Sequence, residues 1–239
     1  MPYNYGGFRG GYSSIATADP NADLKALVQA YWKLDEFSDG SGPVTRVDSG
    51  PNGLHLTDVN TVASGVGHVY ANAAAPISAN SEYLQRTVPA SGGDIDFSVM
   101  AWAFPTSSSG AQAVFSCFNG GHNGFGTVYW NEQVSKFSFQ VSPATIADPT
   151  VRSTGAWYLV ITTFVAATNT GTIYVNDGSG TSVVAGPPAT STNLTLFRPG
   201  TVAAQFFDGR TGPAAIFSGI LDSGQRSRLW NGGAGLALY

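Results

Sequence analysis

The chain has 239 residues, 43% of them hydrophobic, enough for a sizeable core, so general disorder is excluded and one large β domain is the simplest reading. Lys and Arg number 11 against 15 Asp and Glu, giving a net charge of −4 with no basic cluster, which argues against nucleic acid as the main partner. Charged residues make up only 11%, against ~25% in soluble domains generally, and such a surface suits either a chain packed against other copies or a sandwich with hydroxyls and amides outside.

Residues 1–20 stand apart as an N-terminal arm. Tyr3, Tyr5, Phe8 and Tyr12 are interleaved with Gly6, Gly7, Gly10 and Gly11, which joins a permissive backbone to aromatic contact area. The segment cannot build a core of its own. It reads as a frayed tail or as an arm that docks on a neighbouring subunit. It lacks the apolar stretch of a secretory signal, and no apolar run in the chain is long enough to cross a bilayer, so membrane insertion is not expected.

Residues 21–239 read as one domain. Asn21 to Val28 predicts a short helix, with Asn21 as cap and Asp23 in the first turn. Gln29 to Glu36 predicts a strand, with Ala30, Trp32 and Leu34 on one face. Ser38 to Pro43 and Asp48 to Gly53 are dense turn clusters. Short strands are predicted at Leu54–Leu56, Val66–Ala71 and Glu82–Val88. Asp96 to Phe104 carries apolar residues on both faces, which marks an interior strand. Ala111–Phe118, Gly124–Trp130 and Lys136–Val141 continue the pattern, the last with Phe137, Phe139 and Val141 inward. Cys117, the single cysteine, falls in the run VFSCF and reads as a buried, inert thiol, with no internal disulfide available. Trp157–Ala166 is a second two-sided strand, Gly171–Asn176 leads into an Asn176-Asp177-Gly178 hairpin turn, and Asn193–Phe197 follows.

Phe206 to Gly219 predicts a closing strand that zips against an early one. Pro213 within it cannot donate to a ladder, so a bulge or an edge is expected there. A final helix is expected near residues 223–231, with Ser223 as cap candidate and Gly232-Gly233 as stop. About a dozen short strands with little helix argue for an all-β, two-sheet antiparallel sandwich.

Several stretches together resemble one family. They are Tyr31-Trp32-Lys33-Leu34-Asp35-Glu36, Asp48-Ser49-Gly50, Leu54 to Asp58, Asn80 to Leu84, Asp94 to Ser98 through Trp102, Trp157-Tyr158, Ile173 to Asn176, Phe207 to Arg210, and Leu229 to Leu236. In order and spacing they are similar to the laminin-G-like, concanavalin A-like jelly-roll domain of phage and bacterial surface proteins. The resemblance covers roughly residues 27–239. It implies two curved antiparallel sheets, and glycan or protein binding without catalysis, sometimes with calcium. Thr211-Gly212-Pro213-Ala214 stands where the family usually carries acidic residues, which puts functions resting on that acidic pair in doubt.

The chemistry expected of the chain is recognition. Glycoside hydrolysis needs a flanking pair of carboxylates; Asp94 and Asp96 share a strand face, but no Glu extends the pattern, and they read as turn and strand-start residues. His55, His68 and His122 are scattered, with no zinc spacing and no nucleophile elbow. No cofactor is expected. Asp39, Asp48, Asp58, Asp177 and Asp208 lie beside turns and could supply oxygen ligands to calcium, although most such residues cap turns. Sugar binding needs an exposed aromatic platform beside planar polar groups. Tyr129 and Trp130, with Asn131 at the following turn and Asn119 and Asn123 in a neighbouring loop, are the candidates; alternatively Trp130 covers a sheet edge. Trp32, Trp102 and Trp157 are expected in the core.

Two functions remain open at this point. One is a structural component of a virion, such as a decoration, fibre or tail-associated protein, that forms homo-oligomers and joins other subunits through its arm. The other is a free glycan-binding module of a bacterial surface or secreted protein.

Overall fold

The computed structural model describes residues 18–91, 95–119, 121–141, 143–186, 191–200 and 204–239; side chains at 88–91, 118–119, 121–125 and 191–192 are outside the description. The arm residues Tyr3, Tyr5, Phe8 and Tyr12, and Asp94, therefore lie outside the described residues, as do the side chains of Asn119, His122 and Asn123.

Helix α1 (Ala22–Leu27) leads into β1 (Val28–Trp32). Strands β2 (Thr45–Arg46), β3 (Leu56–Val59), β4 (Ala63–Val66), β5 (Asn72–Ala75), β6 (Tyr83–Ser91), β7 (Phe97–Pro105) and β8 (Gln112–Asn119) follow. The second half holds β9 (Gly121–Trp130), β10 (Phe137–Val141), β11 (Ala144–Ala147), β12 (Tyr158–Val165), β13 (Thr170–Val175), β14 (Thr181–Val184), β15 (Ser191–Leu196), β16 (Gly209–Phe217) and helix α2 (Ser223–Trp230). Two eight-stranded antiparallel sheets stack as a jelly-roll sandwich. The first runs β14-β13-β12-β7-β16-β5-β4, with β1 also on β16; the second runs β11-β10-β9-β8-β15-β6-β3-β2.

Alternation along each strand builds the interior. In β7, Phe97, Val99, Ala101 and Ala103 face the second sheet, and Phe137, Phe139 and Val141 of β10 and Leu194 and Leu196 of β15 face them from that sheet. Met100 and Trp102 of β7 point the other way and join a second apolar layer with Leu159, Ile161, Phe217, Leu24, Leu229 and Leu238. The first sheet is thus apolar on both faces because its outer face is roofed by α1, α2 and the C-terminal tail. Asp23 of α1 pairs with Arg228 of α2, Arg228 also donates to the Pro20 carbonyl (2.6 Å), and the Lys25 ammonium lies 5.3 Å from the Tyr239 ring centre.

The closing strand meets β1 as expected, through Ala214–Phe217: Trp32 pairs with Ala214 and Val28 with Phe217. Pro213 sits at a bulge, between Thr211 and Ala214, in the ladder with β7. On the opposite edge of β16, Thr211 pairs with β5 and Ala214 with β1, so the residue without an N–H falls where the partner strand changes.

Other boundaries shift for local reasons. The strand from residue 29 stops at Trp32 because Leu34 has a φ of 59°. The strand expected at Val66–Ala71 is, after Val66 of β4, the connection to β5, closed by Gly67 N–H on the Ala71 carbonyl (3.1 Å). Asn21 makes no side-chain cap. The cap of α2 is Asp222, not Ser223: Asp222 accepts from Gln225 N (2.8 Å) and Gln225 Oε1 accepts from Asp222 N (3.0 Å), a reciprocal capping box.

Candidate functional site

The outer face of the second sheet is built differently from its roofed counterpart. The pairing registers bring one residue from every strand into a single transverse row: Thr145, Gln140, Thr127, Ser116, Thr195, Gln85, Thr57 and Thr45. Every member is a hydroxyl or an amide. The cause lies in period-2 alternation: the neighbours Phe139, Val128, Cys117, Leu194, Leu84 and Leu56 fill the core, which turns their polar partners outward.

The middle of the row is covered by the connection from β15 to β16. Phe197 and Phe207 plug into the core with their rings 6.3 Å apart, and Phe207 N–H donates to the Phe197 carbonyl (2.9 Å), which pins both ends of this loop. Between them the loop settles on the sheet: Thr195 Oγ1 donates to the Arg198 carbonyl (2.7 Å) and Gly200 N–H to Ser116 Oγ (3.3 Å), which lies 2.8 Å from Thr127 Oγ1. The row stays open on the other side, where Thr45, Thr57 and Gln85 are exposed.

The loop and the open part of the sheet bound a groove of about 440 Å³. Its floor is Thr57 of β3, Gln85 and Thr87 of β6, and Asn193 and Thr195 of β15; Arg198 and Gly200 form the loop side, and Arg86 also lines it. Three strands at about 4.8 Å spacing give it a width near 10 Å. The Arg198 guanidinium carbon lies 4.7 Å from the Tyr83 ring centre, and Tyr83 in turn packs on Phe206 at 6.1 Å. Arg198 Nε is buried and has no hydrogen-bond partner. Arg86 spends its NH1 on the Gly53 and His55 carbonyls (3.1 and 3.2 Å). Two arginines and no carboxylate line the groove, in a chain whose net charge is −4.

The residues expected to form an aromatic platform are placed elsewhere. Trp130 is fully buried: it packs on Phe137 at 5.0 Å and its Nε1–H donates to the Ser107 carbonyl (2.7 Å). Its position in β9 is core-facing, which corrects the expectation of exposure at a turn. Tyr129 does lie on the outer face, beside the row, but is only 4% exposed, and its hydroxyl donates to Gln140 Oε1 (3.4 Å); burial pushes its pKa up. Asn131 holds the turn, with a φ of 60°, Nδ2 donating to the Ser108 and Gly110 carbonyls (2.7 and 2.9 Å), and Oδ1 accepting from Ser135 N (2.6 Å). Trp157, expected in the core, precedes β12 and is partly exposed among Phe104 (5.4 Å), His68 (5.5 Å) and Arg210, whose guanidinium stacks 3.8 Å over Phe104. His68 Nε2 lies 2.6 Å from the Gly233 carbonyl, so this cluster stitches the tail to the first sheet.

The turn aspartates named for calcium are engaged in structure. Asp39 accepts from Ser41, Asp48 accepts from three backbone N–H groups (Tyr31, Gly50 and Leu54), and Asp58 binds Arg46. Asp208 Oδ1 accepts from Ser78 N (3.4 Å), and Asp177 lies in the hairpin turn after β13. Among the described residues no group of three or more His, Cys, Asp or Glu could hold a metal ion. Asp96, read as a strand-start residue, accepts from Ala166 N (2.8 Å).

Comparisons with solved structures place the architecture among lectin-like sandwiches. Botulinum neurotoxin type C, whose way into cells depends on two ganglioside molecules, superposes with a TM-score of 0.63 at 10% identity over 88% of this chain and 52% of the toxin chain. Trypanosoma rangeli sialidase gives 0.60 at 16% identity, covering 88% of this chain but 33% of that enzyme. Domain 4 of the Geobacillus stearothermophilus arabinanase AbnA, solved with arabinotriose, gives 0.58 at 16% identity over 84% of this chain and 97% of that domain. This chain therefore spans about half of the solved neurotoxin chain, a third of the solved sialidase chain and nearly all of the arabinanase domain. No curated protein matches. The model of the concanavalin A-like lectin/glucanases superfamily matches residues 78–225, more than half of the chain and the stretch that carries β6 through β16. The chain belongs to the concanavalin A-like lectin/glucanases superfamily.

Proposed function

We propose that this protein is a glycan-binding module that acts without catalysis, and that its ligand lies on the outer face of the second sheet. The observation that carries this reading is the unbroken row of hydroxyls and amides across eight strands, left open beside a groove while the opposite sheet is roofed. Saccharide hydroxyls are recognised by such planar amides and hydroxyls, and a rigid sheet holds them in fixed spacing. The arabinotriose bound to the arabinanase domain and the gangliosides used by the neurotoxin give the same class of ligand on the same fold, at identities that carry fold alone. Among the described residues no carboxylate lines the groove to act as acid or base. The test is an immobilised-glycan panel with the wild type, Gln85→Ala and Thr57→Ala. Both residues are exposed, so the variants should fold. Binding that survives both substitutions refutes the placement of the ligand, and no binding to any saccharide refutes the function.

A second reading, a virion or surface-assembly component joined through residues 1–20, draws on the placement of the residues that follow that segment. Pro20 and Asp23 are held by Arg228 on the roofed sheet, on the far side of the sandwich from the groove. An arm leaving from there could join other subunits while the groove faced outward. Deleting residues 2–14 should then lower the native mass of an oligomer, and an unchanged mass refutes it.

A further inference from the structure

Arg198 lines the groove from its loop side. This residue is the one charged group that the β15–β16 loop carries to the groove. Its guanidinium rests on the Tyr83 ring, which fixes the plane, and Tyr83 is itself braced by Phe206. Among the described residues no carboxylate pairs with it, and its buried Nε has no hydrogen-bond partner. The other described arginines are engaged by protein oxygens, although Arg86 Nε is likewise buried without a hydrogen-bond partner. Arg46 is committed to Asp58, Arg152 to Asp148 and Arg228 to Asp23, and Arg86, Arg210 and Arg226 donate to backbone carbonyls. An ionised guanidinium with a buried, unused Nε–H is costly unless something meets it. No Asp or Glu lines the groove, so nothing there would repel an anion.

We propose that the ligand is an acidic saccharide, and that Arg198 receives its carboxylate or sulfate while Gln85, Thr57 and Thr87 take its hydroxyls. The proposal rests on the glycan-binding reading above. A fork of N–H donors held flat against a ring matches the oxygens of either anion. Neutral glycans would leave the guanidinium unpaired under the ligand, and so bind less well.

The experiment uses matched probes on the full chain by titration calorimetry. These are an oligogalacturonate and its methyl ester for the carboxylate, and a sulfated galactan oligosaccharide and its desulfated form for the sulfate. Wild type, Arg198→Ala, Arg198→Lys and Gln85→Ala are compared, with thermal unfolding as the check on folding. The expected result is binding of one acidic probe on the order of 10- to 100-fold tighter than its neutral partner. That preference should vanish in Arg198→Ala and be partly restored in Arg198→Lys, and Gln85→Ala should weaken acidic and neutral probes alike. Which acidic probe binds tells carboxylate from sulfate. Equal binding of acidic and neutral forms, or a preference that survives Arg198→Ala, overturns the acidic assignment and leaves glycan binding standing. If none of these four probes binds and the wider glycan panel is also silent, both readings fall. If neutral glycans on that panel bind and no acidic one does, only the acidic assignment falls.

Discussion

Leu229→Ala tests whether the roof over the first sheet belongs to the cooperative fold. Leu229 is 1% exposed and lies in the outer apolar layer with Trp102, Leu159 and Phe217. Removing three carbon groups forfeits about 2.4 kcal/mol of transfer free energy, at about 0.8 kcal/mol each. The cavity left between helix and sheet raises this to roughly 3–4 kcal/mol, because β7 and β12 cannot collapse inward without disturbing the main core. For a domain of this size, about 2–4 °C per kcal/mol puts the loss in Tm at roughly 6–16 °C. Leu229→Met, which conserves volume, should cost less than about 1.5 kcal/mol. Calorimetry and tryptophan fluorescence, which senses Trp102 and Trp230 stacked at 5.5 Å across the layer, should report one shared transition. A shift under about 2 °C, or a roof that melts ahead of the sandwich, would refute the reasoning.

Three further outcomes are expected. Asp58→Asn should cost about 3–5 kcal/mol in urea unfolding, because Arg46 is fully buried on Asp58 and would keep only the Glu36 carboxylate, 4.0 Å away, against its charge; a loss below 1 kcal/mol contradicts this. The hydrogen bonds from Arg228 and then Gln225 hold the Asp23 carboxyl well below the usual range. A lowered carboxyl stabilises the fold at every pH above its unfolded value near ~3.9 and loses that contribution as pH falls toward the folded one. Asp23 should therefore still be ionised at pH 3 by NMR titration, and Asp23→Asn should flatten the acid limb of the Tm profile; a midpoint near 4 argues against the clasp. Burial pushes the Cys117 thiol far up, so a thiol reagent at pH 8 should label it only at the rate of unfolding, and rapid labelling of the native protein would be inconsistent with the buried thiol.

The sandwich was legible in the sequence wherever apolar residues alternate or run on both faces, as in β7, β10 and β12, and wherever turn chemistry is dense, as at Asn176-Asp177-Gly178. β5 escaped because Asn72-Ala73-Ala74-Ala75 carries no bulky residue to mark a face. β2, β11 and β14, of two to four residues, are too short to show a period. The candidate site was hidden for a different reason. Trp130 fits an exposed aromatic platform only by its place beside a turn, whereas its alternation with Val128 points it to the core. The groove is made of what remained once each core residue was assigned: Thr57 beside Leu56, Gln85 beside Leu84, Thr195 between Leu194 and Leu196. Reading the polar half of each strand would have listed these positions, but only the pairing registers align them. Arg198 gave no signal at all, since its meeting with Tyr83 depends on a loop anchored by Phe197 and Phe207.

The bulge at Pro213 has a bearing on how the chain avoids mispairing. β1 is the first strand and β5 follows well after it, yet both add to the same edge of β16. A continuous row of donors there would let either one slide past its end into the other's place, in the same molecule or in a neighbour. Pro213 removes one donor at the junction, and the extra residue of the bulge offsets the pleat on its two sides. The site therefore acts as a stop for both partners, one that keeps β1 and β5 each docked on its own half of β16 and disfavours exchange of β1 between molecules.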